Sequence, residues 1–306
     1  MHKDSTMNSI LSVKGLHCSY QGIPILRGID FDVPTGSIFG YLGKNGAGKS
    51  TTIKLLLGLL NPDGGEIIFK GVPLRKQPLL LRSHTGSLIE HPSFYPFLTV
   101  SENLNYLDKI FKMGKERKRQ VLSLLDLEEH VGKKAQVLSS GLKQRLGLAM
   151  CIFRRPEMLI LDEPLNALDP QGIYELRVIL RKLNQEEGVT IFLSSHILEE
   201  LEKIATQVAI IKEGAICYQG NIKGLVRAQS DIVRLKLSGT MLLKQLGYSS
   251  RFTLVRICDS NQAEFEVRDE SEFAHLISSL CADGISIYDV THKVSALENA
   301  FIHLTK

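Results

Sequence analysis

The sequence predicts an α/β fold, on three observations. The apolar run Ile38-Phe39-Gly40-Tyr41-Leu42 reads as a buried strand, a glycine-rich loop follows it, and Thr52-Ile53-Lys54-Leu55-Leu56-Leu57 starts a helix. A second apolar run, Met158-Leu159-Ile160-Leu161, ends in Asp162-Glu163-Pro164, so two carboxylates sit at the C-terminal end of a strand, where open α/β sheets put their ligands. Beyond about Ala228 the rhythm changes to short strands and helices, which marks a second, smaller α+β domain.

Taken in order, Ile10 to Val33 reads as short strands about a turn at Gly22, an antiparallel edge beside the glycine-rich loop. That loop, Gly43-Lys44-Asn45-Gly46-Ala47-Gly48-Lys49-Ser50-Thr51, fills each fixed position of the phosphate-binding-loop pattern. Its glycines let consecutive backbone N–H groups converge on phosphate oxygens at a helix N-terminus, where unpaired donors and the positive dipole end favour anions. Lys49 is expected to reach the β/γ-phosphates and the Ser50 hydroxyl to sit on Mg²⁺, so the loop should bind a nucleoside triphosphate. Asn61-Pro62 is read as the stop of the helix. Ser101 to Val131 is mostly helical, and Lys115-Glu116-Arg117-Lys118-Arg119 reads as a solvated face. At the second cluster Asp162 can hold Mg²⁺ through water, while Glu163 can face the γ-phosphate and orient the attacking water. Pro170 onward is helical again, and Val208–Ile211 with Ala215–Tyr218 forms a hairpin about Glu213-Gly214.

Past residue 228 the order is strand (Ile232–Leu237), helix (Thr240–Leu246), strand (Phe252–Cys258), strand (Ala263–Val267), helix (Glu272–Cys281), strand (Ile285–Val290). That β-α-β-β-α-β succession predicts a ferredoxin-like domain, with a final helix over Ser295–Leu304 and no catalytic constellation. It reads as a dimerisation, docking or regulatory element.

Composition bounds the function classes. The 306 residues are 43% hydrophobic, enough for one large and one smaller core. A net charge of +4 is small at this length and gives no case for nucleic acid. Five cysteines (Cys18, Cys151, Cys217, Cys258, Cys281) show no metal-ligand spacing, and their odd number argues against a disulfide framework; they read as core thiols. Met1 to Ser9 lacks the apolar core of a signal peptide, and the apolar helix after the glycine loop is too short to span a bilayer, so a membrane role would need a partner.

Leu138-Ser139-Ser140-Gly141-Leu142-Lys143-Gln144-Arg145-Leu146, on its own a helix start with Ser139 as N-cap, resembles the signature motif of ATP-binding-cassette (ABC) ATPases. The resemblance continues through Leu165-Asn166-Ala167-Leu168-Asp169, similar to the D-loop, and Val189-Thr190-Ile191-Phe192-Leu193-Ser194-Ser195-His196, similar to the strand carrying the switch histidine. It covers roughly residues 10 to 225. Taken alone, His196 could simply begin the next helix and Tyr20 could be packing; the resemblance implies a γ-phosphate sensor and an adenine-stacking aromatic. It also implies a nucleotide-binding domain, which the change of rhythm bounds at 1–228, with a helical subdomain at about 90–155; the ferredoxin-like domain read from the order of elements takes 229–306. ATP and Mg²⁺ are implied as cofactors, and a homodimer in which each ATP lies between one subunit's phosphate loop and Ser139/Gly141 of the other.

Two departures narrow the group. Glu90, in Ser87-Leu88-Ile89-Glu90-His91-Pro92-Ser93-Phe94-Tyr95-Pro96, stands where most members carry glutamine in the loop coupling nucleotide to membrane partner. With Leu98-Thr99-Val100-Ser101-Glu102-Asn103-Leu104 after it, this stretch is similar to lantibiotic-immunity and bacitracin-resistance exporters, and Glu90 is a candidate contact to Mg²⁺. Ser140 and Leu142 replace the commonest signature's glycine and glutamine. The chain therefore reads as an ATP-hydrolysing exporter subunit at the cytoplasmic membrane face, driving a separate transmembrane permease. Lantibiotic, bacitracin, another antimicrobial peptide and lipid remain open as cargo. A nucleic-acid-associated ABC ATPase would carry a coiled-coil insertion or two cassettes, and a non-hydrolysing module would lose Glu163 or Lys49.

Overall fold

The computed structural model describes residues 9–306 except 91, 167, 228–230, 242, 244–245, 293–300, 302–303 and 305–306. The chain divides into two compact units, 1–219 and 220–306, so the division falls ahead of the change in sequence rhythm.

In the first unit, β1 (Ser9–Tyr20) and β2 (Ile23–Pro34) pair antiparallel across a turn in which Gln21 and Gly22 take φ values of 50° and 79°. Each strand runs 12 residues rather than forming the short pieces expected. Register shifts at Val13/Leu16 and Cys18/Ser19 break the alternation by which a continuous strand is recognised. β3 (Ile38–Leu42) is buried throughout and leads into α1 (Lys49–Leu56). This helix ends before Asn61-Pro62: Gly58 turns left-handed, and the Leu59 and Leu60 N–H groups return to the Lys54 carbonyl at 2.8 and 3.3 Å, so a glycine stop acts one turn ahead of the proline. Next come β4 (Gly64–Phe69) and β5 (Val72–Pro73), which complete a sheet of order β2-β1-β4-β5.

α2 (Leu80–His84) leads into β6 (Thr85–Leu88). The helical region follows as α3 (Val100–Phe111), α4 (Gly114–Leu124) and α5 (Ser140–Ile152). Thr99 and Glu102 close a capping box at the start of α3, and the buried Asn103 side chain bonds both the N–H and C=O of Tyr95, at 2.8 and 3.1 Å, pinning the loop after Glu90. The chain continues as β7 (Met158–Leu161), α6 (Pro170–Glu187), β8 (Thr190–Ser195), α7 (Leu198–Ile204), β9 (Gln207–Lys212) and β10 (Ala215–Asn221). These strands form a sheet of order β10-β9-β3-β8-β7-β6, parallel from β9 through β6. An aromatic stack of Phe31, Phe39, Tyr41 and Phe192, with ring centroids from 5.3 to 6.0 Å apart, fastens β2 onto the centre of this sheet.

The second unit holds α8 (Ile222–Arg227), β11 (Asp231–Leu237), α9 (Tyr248–Arg251), β12 (Thr253–Ile257), β13 (Gln262–Val267), α10 (Glu270–Ala282) and β14 (Ile287–His292). Its sheet has the order β12-β13-β11-β14 and is antiparallel throughout. Val233, Leu235, Phe265, Leu276 and Leu280 fill its core. The helix read over Thr240–Leu246 lies partly outside the described residues, and that over Ser295–Leu304 mostly so.

Two expectations are corrected. Only Cys18 is buried; Cys151 is half-buried, Cys217 and Cys281 are exposed on outward positions of β10 and α10, and Cys258 is exposed just past the end of β12. The charge run on α4 is not uniformly solvated, since Arg117 is only 4% exposed. Its guanidinium donates to the carbonyls of Ile152 (2.6 Å) and Phe153 (3.2 Å) at the end of α5 and lies 3.6 Å from Glu187, an arrangement that suits a cation at a helix C-terminus. Arg117→Ala should leave those carbonyls unpaired and destabilise by about 2 kcal/mol, a drop in thermal midpoint of about 4–8 °C. A scan of the intact chain checks this, with Lys115→Ala as the exposed control, expected within about 1 °C of wild type.

Candidate functional site

Parallel register builds this site. Tyr41 and Leu42 of β3 pair with Ser194 and Ser195 of β8, and Leu161 of β7 pairs with Leu193. Asp162 therefore emerges level with Ser194, and the glycine loop, the acidic pair and His196 all leave the same edge of the sheet.

The loop has the backbone its sequence calls for. Gly46 and Gly48 take φ values of 81° and 110°, and a Cβ at Gly48 would come within 2.7 Å of the Leu26 side chain. Gly48 is the N-cap of α1 and makes no side-chain cap, which leaves the first N–H groups of the helix pointing out toward the loop mouth. The Thr52 hydroxyl donates to the Gly48 carbonyl at 2.9 Å and lies 3.2 Å from the Tyr41 hydroxyl, tying the loop to the strand beneath it.

Lys49 is 6% exposed, and its ammonium donates to the carbonyls of Gly43 (2.8 Å) and Lys44 (3.4 Å). It stands 3.2 Å from Glu163 Oε1. Glu163 Oε2 accepts from the His196 backbone N–H at 3.3 Å and lies 2.9 Å from His196 Nδ1. Lys49, Glu163 and His196 are thus one connected group. Glu163 takes φ 49°, a left-handed conformation that costs a non-glycine residue about 1–3 kcal/mol and persists only where its surroundings over-determine it. Asp162 is 3% exposed; its N–H donates to Leu88 at 2.8 Å and its Oδ1 accepts from Ser194 Oγ at 2.6 Å.

Glu90 follows β6 with φ 58°, and its Oε1 lies 2.9 Å from Lys54 Nζ on α1. Ser139 caps α5, accepting the Leu142 N–H at 3.3 Å, as the sequence predicts. Gly141 has open space where a Cβ would stand, so packing within the chain does not require glycine there. The Ser139 hydroxyl bonds within its own helix start, whereas Gln144, one turn on, donates to the Pro164 carbonyl at 2.9 Å and joins the helix to the segment after Glu163. Tyr20 ends β1 and is 67% exposed, so its ring is not spent on the core.

The set chemically suits a triphosphate with its metal: an ammonium, uncapped helix N–H groups, a hydroxyl at Ser50 and a buried carboxylate at Asp162 converge on one edge. Sequence reasoning missed Ser194, Lys54 and Gln144. Ser194 left a trace, the first of two hydroxyls that follow the apolar run Ile191-Phe192-Leu193 in a fully buried strand.

Comparison with known proteins gives the same assignment. The ABC transporter family model matches residues 26–166. The ABC transporter ATP-binding protein YhcH of Bacillus subtilis (strain 168) is 33% identical over 304 residues, covering 98% of this chain and 97% of its own. This chain belongs to the ABC transporter ATP-binding proteins. Among its ABC relatives, the bacitracin transport ATP-binding protein BcrA of Enterococcus faecalis is 37% identical over 276 residues, 86% of this chain and 89% of that protein. The solved structure of cbiO1 from Clostridium perfringens, part of the ABC transporter complex cbiONQ, superposes with a TM-score of 0.67 at 28% identity, over 80% of this chain and 99% of that one. The ABC ATPase core is thus common to both comparisons, and the match to YhcH extends through the second unit.

Lys49→Ala should weaken ATP binding by about 100-fold or more, since it removes the ammonium held against the loop carbonyls. Equilibrium titration with a fluorescent nucleotide reads this directly.

Proposed function

We propose that this ABC ATPase drives export of an antimicrobial peptide, bacitracin-like or lantibiotic, through a separate permease at the cytoplasmic face of the membrane. The observation that carries the reading is the convergence of Lys49, Glu163 and His196 beside Asp162, joined to an acid, Glu90, in the coupling loop. BcrA, similar over most of this chain, supports the cargo class. Among the described residues no helix is long and apolar enough to cross a membrane, which agrees with a permease supplied by another chain.

In this reading residues 43–51 cradle the phosphates of ATP, Tyr20 stacks on the adenine, and Ser50 and Asp162, with Glu90 nearby, hold Mg²⁺. The metal supplies charge neutralisation on the phosphates. Glu163 orients and deprotonates the attacking water, and His196 holds the Glu163 carboxylate and senses the γ-phosphate. Ser139 and Gly141 complete the site of a second copy; the open space at Gly141 supports this, because a glycine that internal packing does not need is free to admit a ligand closely. The second unit, ferredoxin-like in its succession of elements, is an accessory element.

Glu163→Gln should retain ATP binding, lose hydrolysis by about 100-fold or more, and accumulate as an ATP-bound dimer. Sedimentation with and without Mg-ATP tests the dimer, and Ser139→Tyr in the same background should leave a monomer with near-normal ATP affinity. Glu90→Gln should keep ATP binding within about threefold, since it is nearly isosteric, while lowering bacitracin or lantibiotic resistance in cells carrying the permease. Resistance equal to wild type would remove Glu90 from coupling.

A further inference from the structure

Ser194 is fully buried on β8 and makes two hydrogen bonds of opposite sense. Its Oγ donates to Asp162 Oδ1 at 2.6 Å and accepts the Glu163 N–H at 2.9 Å. Donation to the carboxylate fixes where the hydroxyl proton points, and this turns a lone pair toward the Glu163 peptide. That peptide begins the residue with left-handed φ, whose carboxylate reaches Lys49 and His196. Removing the hydroxyl would strand a buried N–H and release the restraint that keeps Glu163 out of the ordinary backbone basins.

We infer that Ser194 is the positioning residue for Glu163: it sets the strained peptide from which the Glu163 carboxylate is aimed, and Asp162 in turn orients Ser194. The inference rests on the reading of Glu163 as the residue that orients water. It extends the site to a side chain that need touch neither nucleotide nor water. A hydroxyl acting in this way affects the chemical step and leaves the phosphate-binding loop alone, so kcat and KM should part company.

The test is steady-state ATP hydrolysis by Ser194→Ala, Ser194→Thr, Glu163→Gln and the Ser194→Ala/Glu163→Gln double variant, with thermal unfolding of each. Ser194→Ala should lower kcat by about 10- to 100-fold, the scale of a small misplacement of a catalytic group, with KM for ATP within about threefold of wild type. Ser194→Thr, which keeps the hydroxyl, should recover most of that loss. The double variant should be no slower than Glu163→Gln alone, because the serine acts through the glutamate. A Ser194→Ala enzyme with wild-type kcat, or with a raised KM and unchanged kcat, beside an inactive Glu163→Gln would overturn the role of Ser194 and leave Glu163 standing. A further multiplicative loss in the double variant would overturn action through Glu163. Full activity in Glu163→Gln would overturn the reading on which the inference rests. If Ser194→Ala unfolds early, the comparison of Ser194→Thr with wild type, expected within about threefold in kcat, decides in its place.

Discussion

The parallel pairing of β3, β8 and β7 is the constraint on which the rest of the site depends. Once Leu42 stands opposite Ser195 and Leu161 opposite Leu193, three distant stretches of sequence must leave the sheet side by side. A slip of one residue in β7 would invert the faces of its four residues and carry Asp162 away from Ser194. The stack of Phe31, Phe39, Tyr41 and Phe192 fixes the register of β3 against β8, because it packs one face of both strands against β2 with large rings that fit in few registers.

Local strain at the mouth of the sheet follows from the same pairing. Glu90 and Glu163 leave neighbouring strands, β6 and β7, and both turn through left-handed backbone immediately afterward. Each is held by partners on other elements, Lys54 for one and Lys49, Ser194 and His196 for the other. The two acids are thus aimed by tertiary contacts rather than by local preference. Lys49 is likewise held by loop carbonyls, so Glu163 pairs with an ammonium whose position is already fixed.

Much of this was legible beforehand, and for physical reasons. β3 and β7 are continuous apolar runs because both their faces are covered, and such runs have sharp ends. Glu213 and Gly214 take φ values of 48° and 78°, the conformation a two-residue hairpin needs. β4 and β6 went unread: β4 contains two glycines and a glutamate, and β6 is Thr-Gly-Ser-Leu, so neither carries a periodic apolar signal. Arg117 was misread because a run of charges says nothing of which member turns inward. Lys54 was read only as part of a helix, since its pairing with Glu90 spans 36 positions and is set by how β6 returns to α1. The roles proposed for Tyr20, Ser139 and Gly141 involve a nucleotide and a second copy, which spacing within one sequence does not reach.

Arg117 also sets the geometry of the helix that begins at Ser139. By gripping the last carbonyls of α5 from α4, with Glu187 behind it, the guanidinium anchors one end of a 13-residue rod. At about 1.5 Å per residue that rod is about 20 Å long, so a tilt of about 10° about the anchored end carries Ser139 through about 3.5 Å. Such a lever would convert a small rocking at the base of the helical region into a displacement larger than a hydrogen bond at its tip, with the Gln144–Pro164 and Arg145–Glu175 bonds as the contacts that have to give.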